Sequence, residues 1–166
     1  MTVRPFEGNE LLKFADRMRS FFVGRDEVVW RAADVYNSAA QAIPAAAFTA
    51  LTMSTVVTDT DGFYNGAAPT RLTCKVNGWY IVTARCALDF DPAGAGIERL
   101  LTIYLNTTLK AIASYGTLAG KPTYMSISAV FFMNANQYVE TQVLQAGAGV
   151  VNTLAGYPAL TLARLP

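Results

Sequence analysis

Behind residue 35 the chain becomes a succession of short runs in which apolar residues alternate with small or polar ones, and each run ends at Gly, Asn or Pro. This limits the fold more than any other feature. Two-residue alternation puts apolar side chains on one face of a strand, and turn residues close the strand before it grows long. No helical spacing interrupts the series. An all-β chain of this kind folds economically as two antiparallel sheets packed face to face.

Charge divides the chain in two. Residues 1–35 carry Arg4, Lys13, Arg17, Arg19, Arg25 and Arg31 against Glu7, Glu10, Asp16, Asp26, Glu27 and Asp34. Those twelve of the 25 charges (13 Lys and Arg, 12 Asp and Glu) leave only 13 for the other 131 of 166 residues. The shift predicts an N-terminal arm and connector over 1–32 and a β domain over 33–166. Within the arm, Asn9 suits an N-cap. Leu11, Leu12, Ala15, Met18, Phe21 and Phe22 recur at helical spacing, and Gly24 suits a helix end. A helix of roughly 14 residues is marginal alone, so it needs a surface to pack on. That surface is either its own β domain or a partner. The docking reading assigns Leu11, Leu12, Met18, Phe21, Phe22 and Trp30 to the contact.

In the β domain the pattern predicts strands over 33–38, 48–53, 71–76, 79–90, 98–106, 109–115, 123–133, 137–145 and 159–165. Turns fall at 58–62 and at Asn77-Gly78, and a Gly/Ala-rich connection covers 146–157. Cys74 and Cys86 each lie in an apolar run and read as buried free thiols, with a disulfide as the alternative. In 98–106, Arg99 falls in phase with Leu101, Ile103 and Leu105. The runs 79–90 and 123–133 are apolar or small on both faces. A strand apolar on both sides belongs to a sheet covered on both sides, and the simplest cover for the second face is another copy of this chain.

Several segments taken together resemble one family. They are Val35-Tyr36-Asn37-Ser38, Ile43-Pro44, Phe48-Thr49-Ala50-Leu51, Thr58-Asp59-Thr60-Asp61-Gly62-Phe63, and Arg71-Leu72-Thr73 leading into Gly78-Trp79-Tyr80-Ile81-Val82. They continue with Arg99, Ile103 and Asn106, then Gln137-Tyr138-Val139-Glu140 with Val143 and Gln145, and close on Leu160-Thr161-Leu162-Ala163-Arg164-Leu165. In order and spacing, residues 33–166 resemble the C1q/TNF-type jelly roll in its phage and bacterial variant. The resemblance implies a two-sheet antiparallel sandwich of about ten strands. It also implies that Asn77-Gly78 is a corner between sheets, that Cys74 and Cys86 lie in different sheets, and that the domain assembles as a compact homotrimer. The strands holding Trp79 and Phe132 are similar to those lining the family's threefold contact. That places Trp79, Ile81, Thr83, Tyr124, Ser126, Ser128, Val130 and Phe132 at the trimer interface. The front end departs from the family, having neither a collagen repeat nor a long heptad region, which favours close docking on a surface over a stalk.

Little in the chain carries catalysis. There is no histidine, so the commonest general base near neutral pH is missing. Asp59 with Asp61, and Asp89 with Asp91, are Asp-x-Asp pairs that suit turns better than an ion. Gly116 to Gly120-Lys121-Pro122 is one residue short of a phosphate loop and lacks its Ser/Thr. No catalytic, cofactor or metal residue is assigned. Net charge +1 without a basic run excludes phosphate-backbone binding, and no apolar stretch is long enough for a membrane helix. Tyr64, Tyr115, Tyr124 and Tyr157, with Asn65 and Asn152, are candidates for stacking on a host glycan.

The expectation is a non-enzymatic bacteriophage virion protein, such as a capsid decoration, head spike or head fibre. It would be a homotrimer attached to other virion proteins through its arm. The first 30 residues hold no apolar signal core, consistent with synthesis in the host cytoplasm and incorporation into the virion. The alternatives are a tail-tip module that binds a host surface glycan through 91–96 and 116–122, and a bacterial C1q-like binding protein.

Overall fold

The computed structural model describes residues 31–90 and 96–166. The arm helix, its docking residues Leu11, Leu12, Met18, Phe21, Phe22 and Trp30, and Asp91 lie outside the described residues.

Twelve strands follow in chain order: β1 (Ala32–Tyr36), β2 (Ala42–Ile43), β3 (Thr49–Ala50), β4 (Thr55–Asp59), β5 (Arg71–Thr73), β6 (Gly78–Leu88), β7 (Glu98–Leu105), β8 (Thr108–Gly116), β9 (Thr123–Met133), β10 (Tyr138–Gln145), β11 (Val151–Asn152) and β12 (Ala159–Arg164). One sheet has the order β4-β1-β12-β6-β9. The other has β3-β10-β7-β8, with β5 also on β10, and β2 and β11 form a small separate pair. All these pairings are antiparallel.

The core is where the inward halves of the alternations meet. The first sheet contributes Val35, Tyr80, Val82, Ala84, Leu160 and Leu162, and the second contributes Leu101, Ile103, Val139 and Val143, all buried. Arg99 is buried in the same phase and donates from Nη1 to the Leu88 carbonyl at 3.2 Å, which ties the start of β7 to the end of β6.

The chain changes sheets at Asn77-Gly78. β5 pairs with β10 in one sheet and β6 with β12 and β9 in the other, so the corner implied by the family resemblance is present. Asn77 Oδ1 accepts the Ala135 amide at 2.7 Å and anchors the corner. A Cβ at Gly78 would stand 2.8 Å from Arg164 Nε, so a larger residue there would displace the Arg164 side chain.

The strand count exceeds the expected ten. β2, β3 and β11 are two residues each, too short to leave a period in the sequence. The expected strand over 48–53 contracts to β3. Part of the expected 58–62 turn is instead the end of β4, an edge strand that is half-buried or exposed along its whole length and so shows no apolar alternation.

Strand direction gives the sandwich two distinct ends. The described residues begin at Arg31, whose carbonyl accepts the Arg164 amide, so residues 31 and 165–166 share the basal end. Leu88 pairs with Thr123 and Glu98 with Gly116, so these four strand ends and the 117–122 loop share the opposite, apical end. The 146–158 connection joins them, because β12 starts opposite Arg85.

Burial on β7 makes a direct test. Leu101→Ala empties a fully buried site and is expected to cost about 2–5 kcal/mol in urea unfolding. Val57→Ala, on an exposed side chain of the edge strand β4, is expected to stay within about 0.5 kcal/mol.

Candidate functional site

The longest paired element is also the one with two apolar faces. β6 and β9 are in register over their whole length, from Gly78 opposite Met133 to Leu88 opposite Thr123. Tyr80, Val82, Ala84 and Cys86 with Met125 and Met133 turn into the core. The opposite face carries Trp79, Ile81, Thr83 and Arg85 on β6 against Phe132, Val130, Ser128 and Ser126 on β9, each in direct cross-strand register. Tyr124 follows on the same face of β9.

All eight expected interface residues therefore lie together on one surface. In the single chain they are largely exposed. Trp79 is 56%, Ile81 37%, Val130 53% and Phe132 46% accessible. Trp79 and Phe132 meet edge to face with centroids 5.9 Å apart. The Thr83 and Ser128 hydroxyls are 2.9 Å apart, one donating to the other.

β9 is an edge strand, and its edge is partly covered from the other sheet. The Ser126 amide donates to Tyr115 Oη at 3.0 Å, and Tyr115 Oη donates to the Ser126 carbonyl. Because both backbone groups of Ser126 go to Tyr115, Ser126 and Arg85 form a non-hydrogen-bonded pair, in which facing side chains stand closest. Alternation extends this to Thr83 with Ser128, Ile81 with Val130, and Trp79 with Phe132.

The outer face is graded along its length. The basal half is the apolar patch of Trp79, Ile81, Val130 and Phe132, and the middle is the Thr83–Ser128 hydroxyl pair. At the apical end a cleft of about 250 Å³ opens between Arg85, Cys86, Tyr124, Met125, Ser126 and Tyr157. Tyr124 and Tyr157 meet with ring centroids 5.2 Å apart and planes at 62°. The Tyr157 phenol beside it, then partial burial, push the Tyr124 phenol above its ordinary value, so it stays protonated through the neutral range.

The other candidate stacking residues are not gathered here. Tyr64 donates to the Met53 carbonyl at 2.6 Å, Tyr115 is committed to Ser126, and Asn65 Oδ1 accepts the Ala67 amide. Asp59 accepts the amides of Phe63 and Tyr64 at 2.9 and 3.0 Å, as a turn residue does, while Asp61 pairs with Arg31 at 2.9 Å. Among the described residues no group of three or more His, Cys, Asp or Glu converges as a metal site. No described helix is long and apolar enough to cross a membrane.

Both cysteines are free and buried, in line with the buried-thiol reading. Cys74 Sγ points at the Val76 and Asn134 carbonyls at 3.2 Å each. Burial pushes the Cys86 thiol up to about 12, with Arg99 pulling the other way. Burial likewise raises the Tyr80 phenol to about 12, with the Cys74 thiol adding to it.

Arg85 is the cleft residue that sequence reasoning did not single out. Arg85 had no sign at all, because the tyrosines that frame it come from β9 and from the 146–158 connection.

Comparison with known proteins bears on the fold. No family model matches the chain, and no curated protein matches it. Among solved structures, the globular domain of zebrafish complement 1qA protein superposes with a TM-score of 0.54, covering 81% of this chain and 96% of that one at 17% identity. Eiger TNF from S. frugiperda superposes with a TM-score of 0.54, covering 82% of this chain and 93% of that one at 13% identity. The protein is an all-β C1q/TNF-like jelly roll.

The raised thiol and phenol set an alkaline limit. A group whose folded value lies above its unfolded one stabilises the fold fully below the unfolded value, and that contribution is lost as pH climbs toward the folded value. Stability is expected to decline from about pH 9, where an unfolded Cys86 ionises, toward about 12, with Tyr80 adding to the decline from about 10. Urea midpoints across that range check it. A thiol reagent at pH 8 is expected to label neither cysteine until the protein is unfolded.

Proposed function

We propose that this protein is a non-enzymatic structural component that assembles as a homotrimer and is fixed to a bacteriophage particle through its N-terminal arm, as a capsid decoration, head spike or head fibre. One observation carries the assembly part: the basal half of the β6–β9 outer face exposes two aromatic and two β-branched side chains in contiguous register. Contiguous exposed apolar surface of this kind marks an interaction site.

A closed ring of three uses a heterologous contact, so the strip must meet a different surface of the next copy. The β8 strand at the edge of the other sheet supplies one, with Leu109 44% and Ile112 52% accessible. Such a contact leaves the basal ends of the three copies side by side, where arms preceding Arg31 would all leave toward the same surface. The assignment to a phage particle rests on the resemblance of residues 33–166 to the phage-type domain and on the mixed-charge arm ahead of it. A second reading, a tail-tip module for a host glycan, draws on the aromatic cleft at the opposite end.

Light scattering of the full chain at micromolar concentration is expected to give three chain masses. Ile81→Asp or Phe132→Asp buries an unpaired carboxylate at the contact, a cost of about 3–5 kcal/mol, and is expected to yield folded monomers with unchanged far-UV circular dichroism. A monomeric wild-type chain, or variants that stay trimeric, would remove the assembly reading.

The arm is tested separately. Leu12→Asp combined with Phe22→Asp is expected to keep the trimer but lose attachment to particles assembled without this protein. Unchanged attachment in a co-sedimentation assay would end the docking reading, and loss of the β signal would mean that the arm folds back on its own domain.

A further inference from the structure

The apical cleft has a composition that assembly does not explain. Arg85 stands exposed on the outer face, and no described residue offers its guanidinium a hydrogen bond or an ion pair. Covering such a charge with apolar surface would be costly, so the natural occupant of the cleft brings its own anion. Directly across the ladder, Ser126 commits its backbone to Tyr115 but leaves its Oγ unused. Tyr124 and Tyr157, 57% and 45% accessible, turn two ring surfaces inclined at 62° toward the same space.

The chemistry of these groups narrows the occupant. A lone guanidinium takes a carboxylate in a bidentate pair. A bare phosphate or sulfate would use the cation but leave both aromatic rings idle, and no lysine or second arginine lines the cleft to neutralise it. A neutral sugar would use the rings and the hydroxyl but leave the charge unmatched. The volume of about 250 Å³ lies below the ~300–1,000 Å³ typical of drug-sized ligands, and suits one sugar ring with a short substituent.

We infer that the Arg85 cleft binds a carboxylate-bearing sugar ring, a uronic or sialic acid. The carboxylate sits on the Arg85 guanidinium, a ring hydroxyl donates to or accepts from Ser126 Oγ, and the C–H face of the ring lies against Tyr157 and Tyr124. All the groups come from one subunit; Tyr124 and Ser126 were also expected at the trimer contact, and the site is open in a trimer whose contact is confined to the basal patch. It gives the glycan-binding alternative a defined ligand class and a defined residue set.

The test uses the full chain, titrated by ligand-observed NMR with methyl glucuronide, methyl N-acetylneuraminide, methyl glucoside and acetate. At least one of the acidic glycosides is expected to bind in the millimolar range, at least about tenfold more tightly than methyl glucoside or acetate. Arg85→Gln is expected to remove the preference for the acid and Tyr157→Ala to weaken binding about tenfold, with melting temperatures unchanged because both side chains are exposed. Binding of the acids is also expected to fall with added salt.

Equal binding of acid and neutral glycosides, full affinity in Arg85→Gln, or no binding of either acid would overturn the inference. Acetate binding as tightly as the acidic sugars would overturn the sugar part, leaving a bare carboxylate site. Light scattering of the same samples keeps the proposals apart: a monomer that binds the acid sinks only the assembly, and a trimer that does not bind sinks only the cleft.

Discussion

The register between β6 and β9 is the constraint on which the rest of the molecule depends. Eleven residues on each strand face one another without a bulge, so every even position of β6 and every odd position of β9 turns inward, and their neighbours turn out. A slip by one residue would send Tyr80 and Val82 to solvent and bring Arg85 into the core. The inward half is held by its packing against Leu101, Ile103, Val139 and Val143. The outward half is therefore presented as a rigid surface whose side-chain order is already set by the core. A binding surface built in this way needs no rearrangement to be complementary to a partner.

Much of this was legible in the sequence because it follows a period. The 79–90 and 123–133 runs alternate cleanly, and the structure places strands at Gly78–Leu88 and Thr123–Met133. Arg99 was in phase with Leu101, Ile103 and Leu105, and it is buried with them. What escaped the sequence has no period to show. Two-residue strands such as β2 and β11 exist only because the fold brings each beside the other, and β4 is held by pairing with β1 while its side chains are half-buried or exposed. The cleft was illegible for a different reason. Arg85, Ser126 and Tyr157 are brought together by cross-strand register and by the return of the 146–158 connection, and neither is encoded in local spacing. Tyr124 and Tyr157 were both in a list of six candidate stacking residues, but only the fold separates that pair from Tyr64 and Tyr115, whose hydroxyls are spent on backbone carbonyls.

The graded outer face also explains how one strand pair can support two different contacts. Apolar contact and charge recognition compete for the same surface, because burying Arg85 beside Trp79 would desolvate a cation for no return. Along β6 the two are kept apart. Trp79 and Ile81 lie basal to Thr83, and Arg85 lies apical to it. In the Thr83–Ser128 pair between them one hydroxyl donates to the other at 2.9 Å, so a neighbour that covers it has a single O–H left to satisfy. It is therefore a neutral boundary, compatible with protein on one side and with a wet cleft on the other.

That boundary gives the domain a direction. The basal end holds Arg31, the C-terminal residues and the apolar patch; the apical end holds the cleft, the 117–122 loop, and the exposed side chains of Leu118 and Val150. Arg31 bonds Arg164, which pairs with Tyr80, and Arg85 lies five residues further along β6, so an arm ahead of Arg31 and a ligand beside Arg85 would be separated by roughly 17 Å along the strand. Attachment at one end then leaves the other unobstructed, with no hinge or linker needed to separate them.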